Sequence, residues 1–149
     1  MAERKFKKIL VALDGSERSL LTVKYLTKLP AFRKHRIVLF HVFNAIPESY
    51  YDLEREPKSV KTVKYARAWE SQQKKTMEAF MEKAREILLH NGFPAENLKV
   101  KIHSRKKGIA RDIIREAHEG YDVVVTRRRG MGRIQGIILG SVSMKLLQG

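Results

Sequence analysis

Cysteine is missing from this chain altogether. Disulfides, thiolate-metal sites and cysteine nucleophiles are excluded together. Long apolar runs are missing too, and none nears the ~20 residues of a membrane-spanning helix. The start, Met1 to Lys8, is basic but has neither the apolar core nor the cleavage site of a secretory signal. Together these absences point to the cytoplasm. Known catalytic signatures are also missing: no Gly-x-Ser-x-Gly elbow, no His-Glu-x-x-His, no Walker Gly-x-x-x-x-Gly-Lys-Ser/Thr. No base candidate stands out except Asp14. At most, slow turnover of a bound nucleotide is expected.

Acids are the scarce charge, 16 against 31 Lys and Arg, which leaves a net charge of +15. A basic chain attracts anions such as nucleotides, nucleic acid or acidic lipid. Nucleic acid is not the expected main ligand. Base-reading needs placed aromatics or a known module, and neither is evident beside the basic runs. At 149 residues and 43% hydrophobic, the chain predicts one domain with a real core.

What is present begins with a short buried-type strand, Ile9 to Leu13, that stops at Asp14-Gly15-Ser16-Glu17. Ser16 reads as a helix cap. From Arg18 to Leu29, apolar residues at Leu20, Leu21, Val23, Leu26 and Leu29 have helical spacing, and Pro30 marks the end. Arg36 to Phe43 reads as a second buried strand. Asn44 to about Lys64 shows no clear period. Tyr65 to His90 predicts a long helix, with Trp69, Met77, Phe80, Met81, Ala84, Ile87 and Leu88 as core or interface, stopped by Asn91-Gly92. Leu98 to His103 alternates apolar and basic, as an edge strand does. Gly108 to His118 is amphipathic, with Ile109, Ile113, Ile114 and Ala117 assigned to one side. Val123 to Thr126 is a run of four β-branched residues suited to a buried strand.

Strands alternating with helices give an open, doubly wound parallel α/β sheet. In such sheets ligands bind past the carboxyl ends of the strands, where strand order reverses. The fourth strand runs into a glycine-rich stretch, with Gly130, Gly132, Gly136 and Gly140, and then Ser141 at the mouth of a helix. Strand, glycine loop and helix N-terminus together form a common phosphate grip, because free amides point at the anion. His41 and His103 stand at strand ends and read as ordinary side chains, since no second ligand accompanies them at metal spacing. Arg105-Lys106-Lys107 reads as a solvated loop that adds to the positive rim.

The first strand ends Ala12-Leu13-Asp14-Gly15-Ser16, the second ends His41-Val42, and Gly130 is followed after nine residues by Gly140-Ser141-Val142-Ser143. This constellation resembles the universal stress protein family over essentially the whole chain. The resemblance implies an adenine nucleotide alpha hydrolase-like sheet of order 3-2-1-4-5. It also implies ATP as ligand, with Mg2+ as companion, and a homodimer formed through the fifth strand. Carried over by position, Asp14 and Val42 contact the adenosine part, and Leu13 and Thr126 belong to the same nucleotide-binding set. Arg127, Gly130, Gly140, Ser141 and Val142 lie at ribose and phosphates.

Two departures stand out. Arg127 occupies a position where the family's pattern has glycine, and it either blocks the phosphates or clasps them. The sequence also ends at Gln148-Gly149 without a fifth-strand run. Either the sequence is cut short of that strand or the sheet stops at four; the expectation is a single domain over 1–149 with strand order 3-2-1-4, followed by the fifth strand where one is present. The functional expectation is a nucleotide-binding regulator of the stress response. The alternative is a nucleotide-free module that presents its basic surface to an acidic protein partner or RNA.

Overall fold

The computed structural model describes residues 8–47, 50 and 57–126. Four strands, β1 (Lys8–Ala12), β2 (Arg36–Phe43), β3 (Leu98–Ser104) and β4 (Val123–Thr126), form one sheet in the order β3-β2-β1-β4. All three pairings are parallel. Three helices, α1 (Glu17–Leu26), α2 (Val60–His90) and α3 (Ile109–Ala117), connect them. Strand order and helix placement agree with the expected doubly wound architecture.

The inner strands read as unbroken apolar runs because both faces are covered. Alternate residues serve opposite layers. Ile9, Val11, Ile37, Leu39 and Val125 face one cluster with Leu20, Val23 and Leu26 of α1 and Met81, Ala84 and Leu88 of α2. Leu10, Val38, Phe40, Val42 and Val124 face the other, with Ala117 and Tyr121. β3 is an edge strand with its lysines turned outward or half-buried, as its alternation predicts.

Caps set the helix limits. Ser16 Oγ accepts from the Ser19 amide at 3.2 Å, so the expected cap of α1 is present. α2 ends where Gly92 takes φ +89°. There the Gly92 amide donates to Leu89 O and the Phe93 amide to Leu88 O, and Phe93 is buried. This pair of hydrogen bonds satisfies the last carbonyls and stops the helix.

Three sequence expectations need correction. Leu21 is exposed, since it lies roughly 100° round the helix from Leu20 and away from Val23 and Leu26. α2 begins at Val60, five residues before the expected start, because Val60 and Val63 extend its apolar stripe. On α3, Ile109 and Ile114 are exposed while Asp112 is buried, so the four apolar residues do not share one covered side.

The length of α2 positions the site. Its 31 residues span about 46 Å, against about 26 Å for the eight residues of β2. Met81, Ala84 and Leu88 in its C-terminal half pack on the sheet. The N-terminal half, in which only Val63 is fully buried, runs beyond the carboxyl ends of the strands.

Candidate functional site at the carboxyl edge of the sheet

β1 ends at Ala12, which registers with Phe40 of β2 and Thr126 of β4. His41, Val42 and Phe43 therefore extend past the end of β1. Leu13 continues the line: its amide donates to Phe40 O at 2.8 Å. Its carbonyl lies 2.8 Å from His41 Nδ1. A carbonyl only accepts, so the imidazole proton sits on Nδ1 there. His41 is buried and holds Leu13 in place, which is the structural role the sequence suggests.

The chain then turns sharply. Asp14 Oδ1 accepts from the Ser16 amide at 2.9 Å and from Ser16 Oγ at 2.6 Å. Gly15 between them has φ +86°, a region side chains avoid. A Cβ there would meet Met77 Sδ at 2.7 Å, so the turn also lies directly against α2. Burial works to raise the Asp14 pKa, but the Ser16 hydroxyl and amide and then Ser19 hold it below the usual carboxylate value. Asp14 is thus a preset, exposed anion at the end of the central strand.

These elements enclose a cleft of about 660 Å³. One wall is Ala12, Leu13, Asp14 and Ser19. β2 and the residue after it contribute His41, Val42, Phe43 and Asn44, and β4 contributes Thr126. α2 contributes Trp69, Gln73 and Met77, and α3 contributes Ile109, Ala110 and Ile113. The volume suits a small organic ligand, and an apolar lining with a few fixed polar groups is what such sites use. Four of the residues singled out from sequence, Leu13, Asp14, Val42 and Thr126, come together here. Arg127, Gly130, Gly140, Ser141 and Val142 lie outside the described residues, as do the glycine-rich stretch and the final helix.

Of the two places expected for Trp69, core or interface, the structure excludes the core. Trp69 is 55% exposed at the cleft. Met77 is half-buried in the cleft wall, whereas Met81 is core as expected. Helical spacing cannot show that a stripe outruns the sheet it packs on. The available signal was length, since the apolar pattern of α2 is longer than any strand it covers.

Other charged groups have local duties. Asp112 accepts from the amides of Lys106 at 2.7 Å and Lys107 at 3.1 Å, which tightens the loop after β3. Those bonds, Lys106 first, hold its pKa below the usual value despite its burial. His103 stacks on Phe40 with ring centroids 6.1 Å apart. Among the described residues no group of three or more His, Cys, Asp or Glu could hold a metal ion. No helix among them is long and apolar enough to cross a membrane.

Comparison with known proteins agrees with the architecture. The model of the universal stress protein family matches residues 5–149. No curated protein sequence matches the chain. Among solved structures, the hypothetical protein MJ0577, whose biochemical function was assigned from its structure, is 24% identical with a TM-score of 0.61. That match covers 97% of this chain and 90% of the other. A universal stress protein in complex with cAMP is 14% identical with a TM-score of 0.55, covering 88% and 80%. A family member from Burkholderia pseudomallei is 20% identical with a TM-score of 0.54, covering 99% and 92%.

Proposed function

The chain belongs to the universal stress protein family, and from that premise we propose that its cleft binds an adenine nucleotide, with ATP as the physiological ligand. One observation carries the reading: Leu13, Asp14, Val42 and Thr126, from the ends of three adjacent strands, line a single cleft of nucleotide size. Its apolar walls suit a base, and Asp14, an acceptor-only anion, suits ribose hydroxyls or an amine. The complex of one similar protein with cAMP supports an adenine ligand for this fold.

In this proposal Gly130, Gly140, Ser141 and Val142 receive ribose and phosphates through main-chain amides, and Arg127 clasps the phosphates. Mg2+ would arrive with the triphosphate, since the described residues offer no metal cage. The nucleotide would act in the cytoplasm as a regulatory ligand of a homodimer, favouring one conformation by differential affinity, with hydrolysis slow at most.

The test is direct. Protein purified without added ligand is denatured, and the supernatant is analysed for adenine nucleotide. Calorimetry then compares ATP binding by the native chain with Asp14→Ala and Gly140→Val. The proposal expects binding that both variants weaken at least tenfold without loss of helical signal. Unchanged affinity in both variants would overturn the site. A second reading, a nucleotide-free module that presents its basic surface to an acidic protein partner or RNA, draws on the net charge of +15 and on Arg127 in place of glycine. It predicts no nucleotide in the supernatant and no calorimetric binding.

A further inference from the structure

The N-terminal half of α2 carries an arrangement that the core does not explain and that the cleft explains only for Trp69, which stands at its rim. Tyr65 is 74% exposed and Trp69 is 55% exposed. They are four residues apart, hence neighbours on one flank of the helix and about 6 Å apart along its axis. Lys61, Lys64 and Lys75 are exposed on the same outward arc, within about 140° at 100° per residue. None of the three lysines has an ion pair among the described residues. Arg67 and Lys74 flank the arc. Glu70 is the one acid between Val60 and Thr76, and its carboxylate accepts from the Ile46 amide. Downstream the balance reverses, with Glu78, Glu82 and Glu86 on the exposed surface.

This charge placement runs against the helix. Cations near an N-terminus oppose the macrodipole, and none of the first-turn residues of α2 is acidic. Two large aromatic faces left in water add a hydration cost. An anionic partner with planar groups relieves both costs. We infer that the outer face of α2 from Lys61 to Lys75 binds single-stranded nucleic acid, with Tyr65 and Trp69 stacking on two bases and the lysines on the flanking phosphates. Such surfaces combine aromatic platforms with a cationic track and tolerate many sequences. An acidic membrane fits less well, because the face has no aliphatic stripe to enter lipid: Ala68 and Gln72 separate the aromatics from Lys75. The inference shares Trp69 with the cleft rim, but Tyr65 is outside the cleft lining, so a Tyr65 variant tests it apart from the nucleotide reading.

The experiment uses the full chain and a short fluorescein-labelled oligouridine, read by anisotropy over a salt series. Trp69 is the single tryptophan, so its emission reports the same event. Binding with quenched emission is expected. The slope of log affinity against log salt should be about −2 for three phosphate contacts. Tyr65→Ala should weaken binding roughly tenfold while leaving ATP calorimetry unchanged. Lys61→Gln with Lys64→Gln should flatten the slope. Circular dichroism confirms that α2 is retained, as expected for exposed positions. Oligouridine affinity unaltered by Tyr65→Ala overturns the inference. So does binding to anionic phosphatidylserine vesicles with none to oligouridine. Loss of ATP binding in Asp14→Ala with oligouridine binding intact supports it and separates the two sites.

Discussion

Replacing Gly15 by alanine tests how the β1–α1 turn is built, and its cost can be worked from the structure. Gly15 sits at φ +86°. A side chain there costs about 1–2 kcal/mol. The new Cβ would lie 2.7 Å from Met77 Sδ and 3.1 Å from Met77 Cε. The first separation is a clash and the second is tight, so Met77 must leave its position. A thioether on flexible bonds can do this for about 1 kcal/mol of rotamer and contact loss. Alanine also stiffens the unfolded chain, which offsets about 0.4–1 kcal/mol. The net expectation is a loss of about 1–2.6 kcal/mol, a sizeable share of a typical domain's stability.

The two contributions separate in a double-mutant cycle. In a Met77→Ala background the contact is gone and only the backbone strain remains, so Gly15→Ala should cost about 1 kcal/mol less there. Urea denaturation followed by circular dichroism measures all four proteins, with equal m-values as the check on two-state behaviour. Equal costs in both backgrounds would refute the contact with Met77. A cost below about 0.3 kcal/mol in both would refute the positive φ as well, because then the turn must be free to adopt another shape. Met77 lines the cleft. Its displacement by the added methyl group of Gly15→Ala should therefore also weaken nucleotide binding, and Met77→Ala should restore part of the loss.

Glu116→Ala should destabilise by about 1–3 kcal/mol in urea, because Tyr121 Oη, which donates to Glu116 Oε2 at 2.7 Å, would be left unpaired. Lys101, 2.9 Å from Glu116, is partly exposed and can turn to water, so Lys101→Ala should cost less. Acid should unfold the chain progressively below about pH 4. Burial alone would raise Glu116, but its bonds to Lys101 and Tyr121 bring it below the ordinary value, and Asp14 and Asp112 are lowered too. Groups lowered in the folded state contribute above their unfolded pKa and lose that contribution as pH falls. At the alkaline end, burial and then Glu116 raise the Tyr121 pKa. Its contribution is therefore complete below the unfolded tyrosine value and falls away as pH climbs above about 10. Tyr121→Phe should flatten the alkaline limb of a stability–pH curve, and an unchanged limb would sink the assignment. Asp112→Asn should lower the thermal midpoint, since an amide oxygen accepts less strongly from the Lys106 and Lys107 amides than a carboxylate does.

The sheet was legible in sequence because strands covered on both faces leave apolar runs: β1 and β2 lie inside the sheet, and β4, beside β1 at the end of the described order, buries Val124 and Val125. The carboxyl-edge residues Leu13, Asp14, Val42 and Thr126 came from the family resemblance; topology indicated only that such strand ends face one crevice, and the parallel order does bring them to one cleft. The helical contribution to the cleft was not legible. Periodicity places Trp69 and Met77 on one strip of α2 but cannot locate the point where the sheet beneath it stops. It likewise put Ile109 and Ile114 on a covered side of α3. That helix instead buries Asp112, whose carboxylate is satisfied by two amides and so tolerates enclosure.

The overhang of α2 ties these observations together. A helix needs only enough length to cover its sheet, and here the C-terminal half already does so through Met81, Ala84 and Leu88. The N-terminal half gains little from packing, with Val63 as its one fully buried residue. Isolated helices of ~12–15 residues are marginal in water, and Lys61 in its first turn opposes the dipole. The stability of this half therefore derives from continuity with the packed half, and its residue choices are not set by the core. Two results follow from that freedom: Trp69, Gln73 and Met77 line the cleft, and Tyr65, one turn before Trp69, stands in water beside lysines that have no ion pair among the described residues. Shortening the projecting half should thus open the cleft and remove the cationic face together, while the sheet, held by β1 and β2, stays folded.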